Sequence, residues 1–321
     1  MKLTNKYLPD VQLDKVPLHP KAIQKVGVGE VKIFLPVKMK DGSIQNTIAT
    51  VSAYARQSEN SSLNMSRCAE TMYTVRNAAT EEDGFKDMVE FCKILTEKHQ
   101  STETFCKAKF ELLFDDTTPM SERYTCEPVK CEFETKFING AYRNFLTVEY
   151  VGMSLCPCAK QLCSLWTNTT EEEHKIIDAI ENEELKWKIK NSGYASHSQK
   201  SKFRATMELM DDNRLWIEDV IAMMNKSFSV PTTMMAKRCD EAYVVQTAYL
   251  GGYFGDDKKF NKVEHAGPKF VEDEIRDLAK FLDDELDKTI KDYVIVCTNY
   301  ESLHSQDETA VAVLNAGREL N

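Results

Sequence analysis

Several common signatures of chemistry are absent from this sequence of 321 residues. It contains no CxxC pair and no HExxH motif, so the common closed zinc templates are excluded. It also contains neither a GxGxxG fingerprint nor a Walker-type GxxxxGK loop, so any nucleotide must be held in some other way. Glycine and proline are few, 12 and 9, and the composition is that of an ordinary soluble globular protein.

Long apolar runs and an excess of positive charge are also lacking. No run reaches the ~18–20 apolar residues needed to cross a bilayer, and the N-terminus has no apolar signal-peptide core. We therefore expect a cytoplasmic protein that does not enter a membrane. The ten cysteines then indicate reduced thiols rather than a disulfide framework. A formal charge of −10 argues against a general nucleic-acid surface.

Hydrophobic periodicity predicts an antiparallel α+β fold made of two similar units, 1–140 with a polar lead-in and 141–321. Each unit reads strand, strand, helix, helix, strand, strand. The first unit has strands at 31–37, 47–55, 102–114 and 128–137 and helices at 63–76 and 84–98. The second has strands at 142–153, 201–210, 292–299 and 309–314 and helices at 213–228 and 268–287. Two insertions interrupt it, an amphipathic helix near 167–190 and a loop near 250–267.

A strand-like run ends at the tripeptide Cys156-Pro157-Cys158, where a proline lies between two thiols. Two cysteines one residue apart do not easily reach disulfide geometry, so we expect separate thiols. Proline fixes φ at about −65° and removes a backbone donor, which presents both sulfur atoms from a stiff turn. The tripeptide alone is equally compatible with a reactive site and with a buried turn of two inert cysteines.

Four short stretches of the second unit hold residue types suited to a metal ion and to proton transfer. They are 156–158, 196–200, 237–241 and 299–304, and each lies at a predicted element end. One thiolate, one imidazole and one carboxylate leave a fourth position open for water, which is typical of a catalytic metal rather than a structural one. Taken singly, each residue is more often an ordinary surface or core residue, so only the combination indicates a site.

The order of these stretches resembles the type IB GTP cyclohydrolase family. Six stretches match family motifs in the same order. They are Met65-Ser-Arg67, Ser154-Leu-Cys-Pro-Cys158, Ser196-His-Ser-Gln-Lys-Ser201, Arg238-Cys-Asp-Glu241, Pro268-Lys-Phe-Val-Glu-Asp273 and Asn299-Tyr-Glu-Ser-Leu-His304. The opening Pro17-Leu-His-Pro and Val26-Gly-Val are similar to the family's N-terminal stretch. The resemblance therefore spans roughly residues 10–310.

This resemblance implies a fold, an assembly and a reaction. The fold is the tunnelling fold, in which tandem ββααββ units form antiparallel sheets with helices on one face. Such chains associate into oligomeric barrels, usually as a homotetramer. The implied substrate is GTP, whose guanine imidazole ring is opened by hydrolysis at C8. That carbon leaves as formate and the product is 7,8-dihydroneopterin triphosphate, which can feed folate, another pterin or a deazaguanine such as queuosine.

By position, the resemblance implies that one divalent metal ion, Zn, Mn or Fe(II), is held by Cys156, His197 and Glu241. A divalent metal lowers the pKa of bound water toward about 7, which gives a hydroxide that can attack C8. Cys158 and His304 are expected to position this water or to relay its protons, because imidazole titrates near neutral pH.

Recognition of GTP is expected to need acidic and basic groups. A carboxylate that accepts from the N1–H and 2-amino edge of guanine rejects adenine, which lacks that pair of donors. By its position in the sequence, Glu272 is the first candidate for this guanine-binding carboxylate. Glu301 is the second candidate, and it is also expected among the catalytic residues. Four cations are expected to supply local positive charge for the triphosphate: Arg67, Lys200, Lys237 and Arg238.

Departures from the family pattern leave alternatives open. A family His is Asn64 here, a family Pro is Cys239, and a second His near the last motif is Gln306. One alternative is a cyclohydrolase that forms a cyclic phosphate product; another is a catalytically silent or divergent subunit that binds a purine or pterin. The NADPH-dependent nitrile reductase of the same fold and a structural zinc protein are further alternatives. The Cys-Pro-Cys turn and the complete ligand set favour the cyclohydrolase.

Overall fold

The computed structural model describes residues 21–58, 63–78, 83–193, 195–211, 214–232, 237–306 and 310–316. The strands in these ranges are β1 (Ile23–Lys38), β2 (Ile44–Gln57), β3 (Glu103–Thr117), β4 (Tyr124–Ile138), β5 (Ala141–Leu155), β6 (Ser198–Leu209), β7 (Gly252–Phe254), β8 (Phe260–Lys262), β9 (Ile290–Tyr300) and β10 (Ala310–Asn315). The helices are α1 (Met65–Ala78), α2 (Gly84–His99), α3 (Pro157–Leu162), α4 (Glu171–Asp178), α5 (Glu183–Asn191), α6 (Ile217–Ser227), α7 (Arg238–Leu250) and α8 (Val271–Asp283).

The strands hydrogen-bond in the order β1-β2-β3-β4-β5-β6-β9-β10, and β7 and β8 form a separate hairpin. The pairs β1–β2, β2–β3 and β9–β10 are antiparallel. Two compact units share these strands. One comprises Met1–Leu112, Lys130–Thr147 and Met207–Trp216, and the other comprises Leu113–Val129, Val148–Thr206 and Ile217–Asn321. The mixed α+β class with a large antiparallel sheet is therefore confirmed, whereas the predicted domain boundary at residue 140 stays a prediction.

In the first unit, period-two alternation places one face of β1, β2 and β3 in the core, where Leu35, Val51 and Leu112 are buried. The predicted apolar stripe of α2 covers this face through Met88 and Leu95. Helix α2 begins where Asp83 accepts a hydrogen bond from the backbone N–H of Phe85 at 3.3 Å. A Cβ atom at Gly84 would lie 2.5 Å from the side chain of Leu35, so the close approach of helix to strand requires glycine there.

In the second unit, α6 and α8 pack against each other, and α8 also contacts β9 and β10. The apolar faces of these helices bury Val220, Met224, Leu278 and Leu282. Ring centroids of Phe203 on β6 and Phe228 lie 4.7 Å apart beneath them. Full burial of each such side chain contributes about 1.5–3 kcal/mol to folding.

All the predicted strands occur, and the four predicted helices occur with changed ends. The turn at Gly42, with φ +87°, joins β1 to β2 as the Asp-Gly signal predicts. Helix α6 begins at Ile217 rather than 213, because the guanidinium of Arg214 is bound by Asp83 at 2.6 Å and by the Lys38 carbonyl at 3.1 Å. Helix α8 is also shorter than predicted, Val271–Asp283 instead of 268–287.

Helix α7 was not predicted, since its sequence lacks an apolar stripe. Its fully buried residues are Asp240, Thr247 and Ala248, of which two are polar. The predicted single helix of the first insertion is two helices, α4 and α5, each with its own N-cap, at Thr170 and Asn182. The second insertion contains the β7–β8 hairpin.

None of the helices in the described part of the chain is both long enough and apolar enough to cross a bilayer.

Candidate active site

The Cys-Pro-Cys turn lies where β5 ends and α3 begins. Cys156 is the N-cap of α3, and its Sγ accepts a hydrogen bond from the Ala159 backbone N–H at 3.4 Å. Pro157 occupies the first helical turn, where a missing N–H costs no hydrogen bond. Cys156 is half-buried, Cys158 is exposed, and both are free thiols, as are the other eight cysteines. The two sulfur atoms are therefore held separately, as predicted.

His197 lies directly beside Cys156, although 40 residues separate them along the chain. The backbone N–H of Cys156 donates to the His197 carbonyl at 3.3 Å, and the Ser196 hydroxyl donates to the Cys156 carbonyl at 2.8 Å. The first insertion does not prevent this approach, because its two ends meet in a bridge between Ser164 and Gly193. Two of the three predicted metal ligands are thus brought together.

The Nδ1 atom of His197 is buried and has no hydrogen-bond partner among the described residues. Buried polar atoms in native proteins are nearly always paired, so this nitrogen is open to a group from outside the chain. Cys156 and His197 supply sulfur and nitrogen donors that suit Zn or Fe, and a carboxylate in the same set would also suit Mn. The described residues contain no group of three or more His, Cys, Asp and Glu side chains close enough to hold a metal ion. The inclusion of Glu241 in a ligand set therefore stays a prediction.

The turn after β9 places Glu301 and His304 next to this pair. The Nε2 atom of His304 lies 3.1 Å from Oε2 of Glu301, and the backbone N–H of His304 donates to the Glu301 carbonyl. The Ser302 hydroxyl donates to the carbonyl of Ser198, the residue that follows His197, at 3.4 Å. His304 is half-exposed, so a proton can reach it from solvent.

The start of α8 approaches the end of β5 through Ser154. The Ser154 hydroxyl donates to the Lys269 carbonyl at 3.1 Å and accepts from the Asn299 side-chain amide at 3.3 Å. Three of the six sequence stretches are thereby joined by a single hydroxyl group. Glu272, in the first turn of α8, is exposed. Its carboxylate is available to a ligand at the same end of the unit.

Glu274 is fully buried on the core side of α8, and sequence reasoning missed it. Its Oε2 accepts from the Ser201 hydroxyl at 2.6 Å and its Oε1 accepts from the Ser229 backbone N–H at 3.3 Å. Burial raises the pKa of Glu274 to about 7, against the opposing effect of these hydrogen bonds. The available signal was a charged residue within the apolar stripe of α8, next to Ile275 and four before Leu278.

Asp240, at the start of α7, is a second residue without a role in the sequence prediction. Its carboxylate is buried and accepts from the backbone N–H groups of Met120, Ser121 and Lys237, at 2.8–2.9 Å, and from the Ser121 hydroxyl at 2.6 Å. Burial alone raises the pKa of Asp240, but these four hydrogen bonds outweigh burial and hold it well below its usual range. Glu241 follows it and is exposed.

Three predicted phosphate-binding cations lie in the second unit. Lys200 on β6, Lys237 and Arg238 are all exposed. Arg67 lies in the first unit on α1 and is half-buried. Asn64, which replaces a family histidine, stabilises the start of α1 because its Oδ1 accepts from the backbone N–H of Ser66 at 3.2 Å. This departure from the family pattern has a structural role in the chain.

A sequence model described as type I GTP cyclohydrolase folE2 matches residues 8–310. The chain belongs to this family. The match includes every stretch from which the site was predicted, and it agrees with the predicted span of roughly 10–310. The match shows type I, and the finer type IB designation stays a prediction.

Curated relatives of the family are similar over nearly the whole chain. GTP cyclohydrolase FolE2 of Paraburkholderia phymatum is 27% identical and covers 98% of this chain and 96% of its own length. FolE2 of Methylobacillus flagellatus is 25% identical over 90% of each chain. GTP cyclohydrolase MptA of Methanosphaera stadtmanae is 24% identical over 98% of each. Among solved structures, uricase from Arthrobacter globiformis matches with a TM-score of 0.48 and 10% identity, covering 94% of each chain.

Proposed function

We propose that this protein is a GTP cyclohydrolase of type IB, which hydrolyses the guanine imidazole ring of GTP to give formate and 7,8-dihydroneopterin triphosphate. The observation that carries the proposal is the family match over residues 8–310. The geometry supports it, because the Cys156–His197 contact and the turn of Glu301 and His304 lie together at one end of the second unit.

One divalent metal ion, Zn, Mn or Fe(II), would be held by Cys156, His197 and Glu241. The orphaned Nδ1 of His197 beside a thiol fits such an ion, and the mixed donor set suits all three metals. When bound, the ion supplies Lewis acidity that makes water a nucleophile near neutral pH.

The chain's own residues would hold the substrate and move protons. His304 transfers a proton. The carboxylate of Glu301 lies 3.1 Å from the imidazole of His304, orients that ring and stabilises its protonated form. Cys158 is a second proton-holding group, exposed at the first turn of α3. Glu272 accepts hydrogen bonds from N1–H and the 2-amino group of guanine, which excludes adenine. Lys200, Lys237 and Arg238 of one copy, with Arg67 of a neighbouring copy, bind the triphosphate.

We also propose that the working form is a homotetramer closed into a barrel. Among the described strands, β1 and β10 end the strand order, so each has one edge with no neighbouring strand of the described chain. Exposed edges of sheets must be paired, covered or charged in a stable protein. Phe34 on β1 and Val311 and Val313 on β10 are exposed apolar residues on these edge strands, which suits pairing with further copies of the chain.

The direct test is formate release from GTP by the purified chain, after loading with Zn, Mn or Fe(II) in turn. We expect formate in equal amount to GTP consumed, loss of activity on chelation, and no turnover of ATP. Release of pyrophosphate together with formate would instead indicate a cyclic phosphate product. Absence of formate with all three metals, from a protein that still binds GTP, would favour the silent purine-binding subunit.

A further inference from the structure

Glu274 lies on the buried face of α8, whereas its neighbour Glu272 faces solvent. A carboxyl group in this position is unfavourable for folding, since an apolar side chain would complete the stripe formed by Ile275, Leu278 and Leu282. Buried polar groups of this kind that are fully hydrogen-bonded specify one arrangement of the elements they join.

The donors to Glu274 come from three different segments. Ser201 lies on β6, Ser229 follows α6, and Cys297 on β9 directs its Sγ to Oε2 of Glu274 at 3.7 Å. The Sγ of Cys297 also lies 3.5 Å from the Ser201 hydroxyl. One carboxyl group therefore connects α8 to two strands and a loop.

Each of these segments also carries a residue of the predicted site or contacts one. Ser201 follows Lys200 and is four residues from His197. The Ser229 hydroxyl accepts from the backbone N–H of Leu155, the residue before Cys156, at 3.2 Å. Cys297 precedes Asn299 by two residues, and Asn299 donates to Ser154. The contacts of Glu274 thus reach the strand ends that hold Cys156 and His197.

Two other titratable groups face the Glu274 carboxyl. The Cys297 thiol has a raised pKa, through burial first and then through the adjacent Glu274 charge, so it remains a donor. Lys269 lies nearby, with its ammonium bound to the carbonyls of Lys226 and Ser227 and to Asp277. Ionised Glu274 accepts from Ser201, Ser229 and Cys297 at once. A protonated carboxyl has one O–H group that must donate a hydrogen bond. The Ser229 N–H can only donate, so the Ser201 hydroxyl must change from donor to acceptor.

We propose that Glu274 is a positioning residue for the reaction: its carboxylate aligns the strand ends bearing Cys156 and His197 with the first turn of α8, which bears Glu272. This inference rests on the function proposed above. It assigns Glu274 no contact with the substrate. Its effect is exerted through Ser201, Ser229 and Leu155.

The test compares Glu274→Leu and Glu274→Gln with Asp283→Asn as the matched control. Asp283 is on the same helix and also accepts a hydroxyl hydrogen bond at 2.6 Å, from Tyr293, but its partner is not one of the residues linked to the predicted site. In the metal-loaded full chain, we expect Glu274→Leu to lower kcat/KM for GTP at least tenfold. Glu274→Gln should recover part of this loss because one carbonyl acceptor remains. Asp283→Asn should stay within twofold of the parent.

The pH profile separates positioning from simple loss of packing. The ratio of parent to Glu274→Gln activity should rise with pH, with a midpoint near 7, because only the parent gains a third acceptor contact on ionisation. A ratio independent of pH, or Glu274→Leu within twofold of the parent, would overturn the proposal.

Amide hydrogen exchange provides a readout that does not depend on turnover. In Glu274→Leu, exchange should accelerate at 155–156 and 197–201 and remain unchanged in the first unit. If the parent releases no formate, the proposed function fails, and the exchange pattern alone then decides whether Glu274 aligns these strand ends. Unchanged exchange in these segments would overturn that alignment.

Discussion

At the scale of single residues, the two cysteines of the Cys-Pro-Cys turn have different surroundings. Cys156 is half-buried and its backbone N–H donates a hydrogen bond to the His197 carbonyl, whereas Cys158 is exposed on α3. This difference supports a division of roles in which Cys156 ligates the metal and Cys158 participates in proton transfer.

We predict that Cys156→Ala removes bound metal and activity together, whereas Cys158→Ala retains most of the metal and lowers kcat by about 10²–10⁴-fold, the range typical of general acid–base groups. Metal content and formate release, measured on the same preparations, check this. Cys163→Ala, a change of another partly exposed thiol in the same segment, is the control and should alter neither quantity. Equal metal content in the two site variants would contradict the division of roles.

Glu274 also predicts a dependence of stability on pH. Its pKa is raised from 4.5 to about 7 in the folded chain. Its contribution to stability is therefore fully present below about pH 4.5 and is lost as the pH rises through 7, because the folded protein then contains a buried charge.

The Tm of Glu274→Gln relative to the parent should therefore increase between pH 5 and pH 8, by the equivalent of about 3 kcal/mol at most. Thermal unfolding of both proteins across this range measures it. Asp283→Asn should show no such trend. A difference in Tm that stays constant with pH would mean that Glu274 is ionised throughout the range.

At the scale of elements, α7 is held by polar contacts at its first turn and by apolar contacts farther along. Asp240 binds that turn to the segment around Met120 and Ser121, while farther along α7 Ala248 packs with Leu155 and Val230. The position of Glu241 therefore depends on a buried carboxylate one residue before it. The insertions contact each other as well, since Trp187 of α5 and Phe260 of β8 have ring centroids 4.7 Å apart.

We predict that Asp240→Asn destabilises the protein at neutral pH, because an amide nitrogen cannot accept from the N–H groups that surround this position. Asp240 has a lowered pKa in the folded chain, so its contribution is present above its ordinary value of 3.8 and is lost only as the pH falls below that value. The difference in urea midpoint between parent and variant should persist from pH 8 to pH 4 and narrow at lower pH. Asp211→Asn, an exposed change in the other unit, is the control. A difference that disappears between pH 7 and pH 5 would contradict this account.

At the scale of the whole molecule, the prediction concerns assembly. If the active site forms between neighbouring copies, Arg67 of the first unit and Glu241 of the second are needed from different subunits. Arg67→Ala and Glu241→Ala homo-oligomers should each be inactive. In an equal mixture with random subunit exchange, about a quarter of the sites receive an intact Arg67 and an intact Glu241. The mixture should therefore regain up to about a quarter of the parent activity, scaled by the measured proportion of mixed oligomer.

Sedimentation and differently tagged subunits establish that exchange has occurred. Mixing Arg67→Ala with Arg67→Ala carrying the second tag is the matched control and should restore nothing. Proven exchange without recovery would place all these residues in a site contributed by one chain.

The sequence by itself determined the class of fold, the order of elements along the first unit and the family. The fold class and the element order follow from local physics, since period-two alternation and the apolar stripe of α2 depend only on neighbouring residues. The family follows from six short motifs in a fixed order. It also determined the ordered stretches that hold Cys156, His197 and His304. Hydrophobic periodicity does not locate the ends of helices, because individual residues at the helix starts determine them. Examples are the start of α8 at Val271 and the division of the first insertion into α4 and α5.

Only the tertiary structure decided which residues meet. The hydrogen bond of Ser196 to Cys156 spans 40 residues, the contact of Asp240 with Ser121 spans 119, and that of Glu274 with Ser201 spans 73. Helix α7 escaped prediction for the same reason, because the buried residue of its first turn is the charged Asp240, whose donors include Met120 and Ser121 of a distant segment. A buried carboxylate appears in a sequence as an ordinary surface charge. Its donors, which make burial tolerable, are determined by the packing of helices on strands.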